Sequence, residues 1–171
     1  MASLKDVHES DINTVDWSAL NTNLIATGSN DTLVKIIDTR KAYKESKHSV
    51  CKVLRQHKAK VQTVKFSPFD SRYLASSGDC IIFWDLGEGF GQEQMQEEEL
   101  KQPDTTFEED NSEDHIILNH IGHVGTVSDF DWNHILPWTM LSASDDSETF
   151  VQIQRNNDCS MQIFRPLSLL I

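Results

Sequence analysis

Three times along the chain a histidine is followed by the same order of residue types at the same spacing. Four positions after His8, His57 and His123 stand Ile12, Val61 and Val127, and seven positions after them Val15, Val64 and Phe130. Nine positions on are Trp17, Phe66 and Trp132, and nineteen positions on are three hydroxyls, Thr27, Ser76 and Ser142. An acidic turn follows at Asp31, Asp79 and Asp146, and each unit ends in an apolar run closed by Asp38, Asp85 or Arg165. Repeats of this kind fold as stacked supersecondary units, each of which needs its neighbours to bury its apolar faces. The units cover roughly residues 5–40, 54–86 and 120–165, with an insertion over 87–119.

Within each unit the local pattern predicts short strands. VQTVKF and LIATGS are bounded by the turn formers Ser67-Pro68 and Asn30-Asp31. The closing runs LVKIID and CIIFWD are rich in β-branched and aromatic residues. No apolar stripe of helical period and useful length is present. The expected fold is all-β: a partial β-propeller of about three four-stranded blades, with a long acidic loop.

Charge narrows the function classes. The net charge of −12 opposes nucleic-acid binding through a basic face. Between Glu88 and Asp114 eleven acids face Lys101 alone, so this segment carries −10. No apolar stretch approaches the roughly 20 residues of a membrane span. The polar opening MASLKDVHES lacks the core of a secretory signal, so a cytosolic or nuclear protein is expected. Cys51, Cys80 and Cys159 form no CxxC pair and read as reduced, mostly buried thiols. His48, His115, His120 and His134 show no metal-ligand spacing and read as surface or loop residues, and no cofactor or metal is expected.

The pair Gly122-His123 and the pair Trp84-Asp85 resemble the opening and closing dipeptides of the WD-repeat family. The resemblance implies a structural hydrogen-bond chain in each blade, running through a histidine, a strand hydroxyl, a turn aspartate and a strand tryptophan. Those positions are His57, Ser76, Asp79 and Trp84 in the second unit, where the turn is one residue shorter than usual. In the first they are His8, Thr27 and Asp31, with Ile37 in place of tryptophan; in the third, His123, Ser142 and Asp146, with Phe164. A buried histidine between a hydroxyl and a carboxylate is satisfied on both ring nitrogens. Three copies of the set argue for structure over a hydrolase triad, and no GxSxG elbow accompanies them.

Nearly the whole chain, including HESDINTVDWSALNTNLIATGSNDTLVKIIDTR and GHVGTVSDFDWNHILPWTMLSASDD, is similar to the C-terminal blades of the retinoblastoma-binding, Msi-type histone-binding proteins. The run after Asp146 is similar to the plant FVE-like branch. The resemblance implies a nuclear, non-enzymatic scaffold whose partners are core histones and subunits of chromatin-modifying or chromatin-assembly complexes. It implies histone contact through the acidic loop, here Glu97, Glu98, Glu99, Glu108, Glu109 and Asp110, where carboxylates would steer Lys- and Arg-rich segments. It also implies a binding surface on the propeller face at Asp11, Asn13 and Lys60, although Lys60 stands where the family carries an acid, a repulsive change beside a basic peptide. Asp38-Thr39-Arg40 looks like the box by which some WD-repeat proteins dock the adaptor of cullin ubiquitin ligases, with Ile37 breaking its aromatic position. Docking of that adaptor through Asp38 and Arg40 is the alternative function. Three blades are fewer than the roughly four to eight of a closed propeller, so open sheet faces are expected.

Overall fold

The computed structural model describes residues 4–41, 49–87, 90, 115–145 and 161–165. They form eleven strands in three antiparallel sheets. The first sheet runs in order β1 (Ile12–Trp17), β2 (Leu24–Ser29), β3 (Leu33–Asp38) and β4 (Val50–Arg55). The second runs β5 (Thr63–Phe66), β6 (Tyr73–Ser77), β7 (Ile81–Asp85) and β8 (Ile116–His120). The third comprises β9 (Thr126–Trp132), β10 (Met140–Asp145) and β11 (Met161–Phe164), so it has three strands among the described residues where four were expected.

Local chemistry sets the turns. Ser29 Oγ accepts from the Asp31 amide, and Asp31 Oδ1 accepts from the Leu33 amide, which closes the β2–β3 turn around Thr32 at φ 70°. After Ser67-Pro68, Asp70 Oδ1 accepts from the Arg72 amide and starts the chain back toward β6. The sheets do not coincide with the sequence units. β4 precedes His57 yet closes the first sheet, and β8 precedes His123 yet closes the second. The first two sheets thus each borrow their outer strand from the stretch leading into the next unit. The insertion expected over 87–119 is correspondingly shorter at its end, because Ile116 to Asn119 are ladder residues of β8.

The three sheets stack face to face. The first core lies between sheets one and two and holds Leu24, Val34, Ile36, Val64, Ile82 and Trp84. The second lies between sheets two and three and holds Ile81, Phe83, Val127, Phe130, Trp132 and Met140. Alternation along β7 sends Ile82 and Trp84 to one core and Ile81 and Phe83 to the other, which is why this strand reads as an unbroken apolar run. The same hydrogen bond recurs at each seam: the Val61 amide donates to the Ser29 carbonyl at 3.0 Å, and the Val127 amide to the Gly78 carbonyl at 2.9 Å. Gly28 permits the first approach, since a Cβ there would stand 2.4 Å from Val61 Cγ1. The arrangement is a partial β-propeller, with β1, β5 and β9 as the inner strands.

Candidate functional site

In the second unit the turn, the histidine and two strands meet in one polar chain inside the first core. The Trp84 indole N–H donates to Ser76 Oγ at 2.7 Å, Ser76 Oγ lies 2.7 Å from His57 Nε2, and His57 Nδ1 lies 3.0 Å from Asp79 Oδ1. A carboxylate can only accept, so Nδ1 carries the ring hydrogen and Nε2 accepts from the Ser76 hydroxyl. Every polar atom of the buried set then has a partner. The His57 hydrogen bond, working against burial, holds the Asp79 carboxyl below the ordinary carboxylate range. The short turn still delivers Asp79 to His57, and its carboxylate also accepts from the Lys58 amide.

The other two units vary the same chain. His8 Nδ1 meets Asp31 at 2.9 Å and Nε2 meets Thr27 at 2.8 Å. Burial works to raise Asp31, but the Leu33 amide, His8 and the Glu9 amide together lower it. Ile37 has no N–H to offer Thr27, whose hydroxyl also lies 3.3 Å from the Lys35 carbonyl. In the third unit His123 Nε2 meets Ser142 Oγ at 2.7 Å, while Asp146 lies outside the described residues. Phe164, in the tryptophan position, packs edge-on against Phe83 and stacks on His120 with ring centroids 3.8 Å apart.

That stack corrects the reading of His120 as a surface or loop residue. It is the half-buried end of β8, and its Nε2 meets Gln162 Oε1 at 3.0 Å. The His120 ring thus covers one face of Phe164. His115 is also half-buried, with Nδ1 at 3.4 Å from Lys52 Nζ, whereas His134 is exposed and His48 lies outside the described residues. Cys80 is buried, and burial pushes its thiol up to about 11. Cys51 corrects the expectation of burial at the level of the residue, which is exposed on β4; its thiol nevertheless turns toward the Ile36 carbonyl at 3.3 Å, and desolvation raises it to about 11. Cys159 lies outside the described residues.

The ligand atoms of His57, Asp79 and Cys80 lie within 4.8 Å of one another. The chemistry fits a metal poorly, because Nδ1 and the high-pKa thiol would both have to lose their protons to ligate. In the second unit's histidine–hydroxyl–carboxylate set Ser76 is fully buried and its hydroxyl accepts from the Trp84 indole N–H, which does not suit a hydrolytic nucleophile.

Asn13 donates from Nδ2 to the Asn30 side chain and to the Val61 carbonyl, both at 2.8 Å, so it bridges the first seam and comes beside the exposed Lys60. Asp11 is exposed, with its carbonyl accepting from the Asn30 amide. Arg40 grips Asp38 through Nε at 3.0 Å and Nη2 at 2.7 Å, and this bidentate pair holds Asp38 well below the ordinary carboxylate range. Arg72, from the β5–β6 turn, makes the corresponding bidentate pair with Asp85, the closing residue of the second unit. That pair was not read from the sequence, because its partners are thirteen positions apart and belong to different strands' ends. Glu97, Glu98, Glu99, Glu108, Glu109 and Asp110 lie outside the described residues, and the segment that carries them leaves after Leu86 and returns at His115, next to β7 and β8 of the second sheet.

Comparison with known proteins agrees with this architecture. The WD domain, G-beta repeat family matches residues 2–38 and 48–85. A Debaryomyces hansenii protein named histone acetyltransferase type B subunit 2 is 31% identical over 140 residues, which cover 80% of this chain and 31% of that protein. The Arabidopsis thaliana WD-40 repeat-containing protein MSI4 is 32% identical over 173 residues, covering 97% of this chain and 31% of its own length. A Candida glabrata protein also named histone acetyltransferase type B subunit 2 is 30% identical over 155 residues, 90% of this chain and 32% of that protein. The chain therefore spans about a third of the length of the curated relatives it matches.

Proposed function

From the premise that this is a WD-repeat chain related along most of its length to Msi-type WD-repeat proteins, we propose that it acts as a histone-binding scaffold in chromatin-modifying or chromatin-assembly complexes. It works in the nucleus, by binding rather than by catalysis. The observation that carries this reading is the concentration of −10 between Glu88 and Asp114, attached at the second sheet. A basic histone helix approaching that rim meets carboxylates from one short stretch of chain, which favours fast, oriented encounter. The relatives named as histone acetyltransferase subunits support histones as the basic partner. The engagement of the histidine, hydroxyl and aspartate sets in blade structure supports a scaffold over an enzyme.

The test is retention of core histones by the purified chain at physiological salt. A variant with Glu97, Glu98, Glu99, Glu108, Glu109 and Asp110 changed to their amides should lose most of that retention, and Arg40→Ala should leave it unchanged. Undiminished retention by the amide variant would remove the acidic segment from the mechanism. Loss of retention with Arg40→Ala, in a folded protein, would shift the functional surface to the Asp38–Arg40 corner.

A further inference from the structure

The three loops that join the first strand of each sheet to the second share one construction. Ser18, Ser67 and Asn133 open them at the same repeat position, and their amides donate across the loop to the carbonyls of Leu24, Tyr73 and Thr139, at 3.0, 2.9 and 2.8 Å. The opening side chain also holds its own turn. Ser18 Oγ accepts from the Asn21 amide, Ser67 Oγ from the Phe69 amide, and Asn133 Oδ1 from the Ile135 and Leu136 amides. Two positions after the opening residue stand Leu20, Phe69 and Ile135. They are 53%, 39% and 85% exposed, and Leu136 beside them is 51% exposed. Turn tips ordinarily carry Gly, Pro, Asn, Asp or Ser. A large apolar side chain held in water at this position in all three units is a pattern, unlike single exposed residues. The exposed Ile121 and Val124 make no such pattern, since their equivalents in the other units are the charged Asp6 and Arg55, and Glu9 and Lys58.

The three tips lie along one edge of the stack. Thr14 and Asp16 accept from the Val64 and Phe66 amides, and Thr63 and Lys65 donate to Asp129 and Asp131, so β1, β5 and β9 run parallel. The loops that follow them therefore leave on the same side. Phe69 belongs to the middle sheet, which is covered on both faces, so its exposure is a property of this edge. Stacked sheets lie about 10 Å apart, which is about seven residues of α-helix at 1.5 Å each. Seven residues make close to two turns, so side chains at that interval fall on one face of a helix. A helix laid across the three sheets sets one apolar side chain against each tip.

Charge at the same edge fixes the sign of the partner. The Leu86 amide donates to the Arg72 carbonyl, and β8 begins opposite Trp84. Both ends of the stretch that carries −10 between Glu88 and Asp114 thus stand beside the loop of Phe69. Arg72 and Arg40 at this edge are engaged by Asp85 and Asp38. An acidic helix would be repelled here, and a basic one attracted.

We propose that this edge is a docking surface for a basic amphipathic helix of a partner protein, one that brings an apolar side chain to Leu20, Phe69 and Ile135 about every seventh residue, flanked by Lys and Arg. The proposal rests on the histone reading for the class of partner, and adds the apolar floor on which such a helix lies.

Fluorescence anisotropy with the full 171-residue chain and synthetic helical peptides of about 18 residues tests it. A Lys/Ala peptide with leucine at every seventh position should bind. The same composition with leucine at every fifth position, which spreads the leucines around the helix, should bind about tenfold more weakly. Ile135→Ser should weaken the first peptide, and Leu20→Ser, Phe69→Ser and Ile135→Ser together should weaken it by about tenfold or more. Far-UV circular dichroism checks the fold of each variant, and Ile135→Ser, at the most exposed tip, carries the test if the triple variant does not fold. No binding of the first peptide, equal binding of the two, or no loss with Ile135→Ser would overturn the proposal. So would tighter binding when every Lys of the peptide is replaced by Glu. Retention of core histones separates this proposal from the reading it rests on. Equal retention by parent and triple variant would overturn the apolar floor and leave the acidic segment as the histone contact. A parent that retains no histones, yet binds the first peptide through the three tips, would support the docking edge and sink the histone reading.

Discussion

Ser76 is the residue on which the middle sheet's polar chain turns. Its hydroxyl stands between the Trp84 indole and His57, both buried with it. Ser76→Ala would strand a donor and an acceptor in the core, each costing about 1–3 kcal/mol. Ser142→Ala in the third unit orphans only His123 Nε2, because Phe164 has no N–H. Urea unfolding should therefore rank Ser76→Ala as the more destabilising, by about 1–3 kcal/mol. Asp79 gives the residue scale its pH dependence. Its carboxyl is lowered by the His57 hydrogen bond, so it contributes stability that is complete above the ordinary carboxylate value and is lost as pH falls through the lower folded value. Asp38 and Asp85, lowered by their arginines, act with the same sign. Asp16, raised chiefly by burial, acts with the opposite sign: its contribution is lost as pH rises through the folded value. The urea midpoint should fall on acidification below about pH 4, and Asp79→Asn should flatten that fall. A midpoint just as steep in Asp79→Asn would show that the His57–Asp79 pair carries no net stability. These polar chains were legible in the sequence because hydroxyl and histidine recur at a fixed spacing. The Arg72–Asp85 pair and the His120–Phe164 stack were not, since the first joins residues that only the pairing of β6 with β7 brings together and the second residues that only the packing of sheet two on sheet three does.

A strand in this chain takes its burial pattern from its position in the stack. β7 has both faces covered, while β11 alternates exposed and half-buried residues although its composition is similarly apolar. Phe83→Ala, at a fully buried site, should cost about 3–5 kcal/mol, and Ile163→Ala, at an exposed one, well under that. Gly28 has a different origin for its sensitivity. An alanine Cβ there would meet Val61 Cγ1 at 2.4 Å and Thr14 Cγ2 at 2.8 Å, and Val61 is itself fully buried. Gly28→Ala should destabilise by about 1–3 kcal/mol through forced separation of the first two sheets. An unchanged thermal midpoint for Gly28→Ala would mean that the seam is looser than its side-chain contacts imply. Strand identity followed from β-branched runs and turn chemistry, but strand partnership did not. β4 and β8 lie ahead of the histidines of units two and three, yet they finish the sheets before them. Nothing in a linear pattern states which neighbour an outer strand will pair with.

For the molecule as a whole, two features follow from asymmetry. Charge is gathered in one segment, with −10 of the net −12 between Glu88 and Asp114. If that segment recruits a basic partner, affinity should fall steeply with salt, because exposed charges are screened beyond about 8 Å at physiological ionic strength. The amide variant should show a much shallower salt dependence than the parent, and equal slopes would count against electrostatic recruitment. Apolar exposure includes both outer faces of the stack, at Val15 and Trp17 of β1 and at Met161 and Ile163 of β11, and loop residues such as Val124 and Ile135.

The sequence by itself determined the number of units, their all-β character, the histidine–hydroxyl chains and the site of the acidic segment. These depend on local propensity and on spacing within one unit, both of which are written along the chain. The tertiary structure alone decided where sheets begin and end, that a shortened turn still delivers Asp79 to His57, and which copy of each repeated position is buried. Val15, Val64 and Phe130 are equivalent in sequence, and only the latter two are covered. Burial is a relation between one sheet and the next, so identical patterns have different fates according to what is stacked against them.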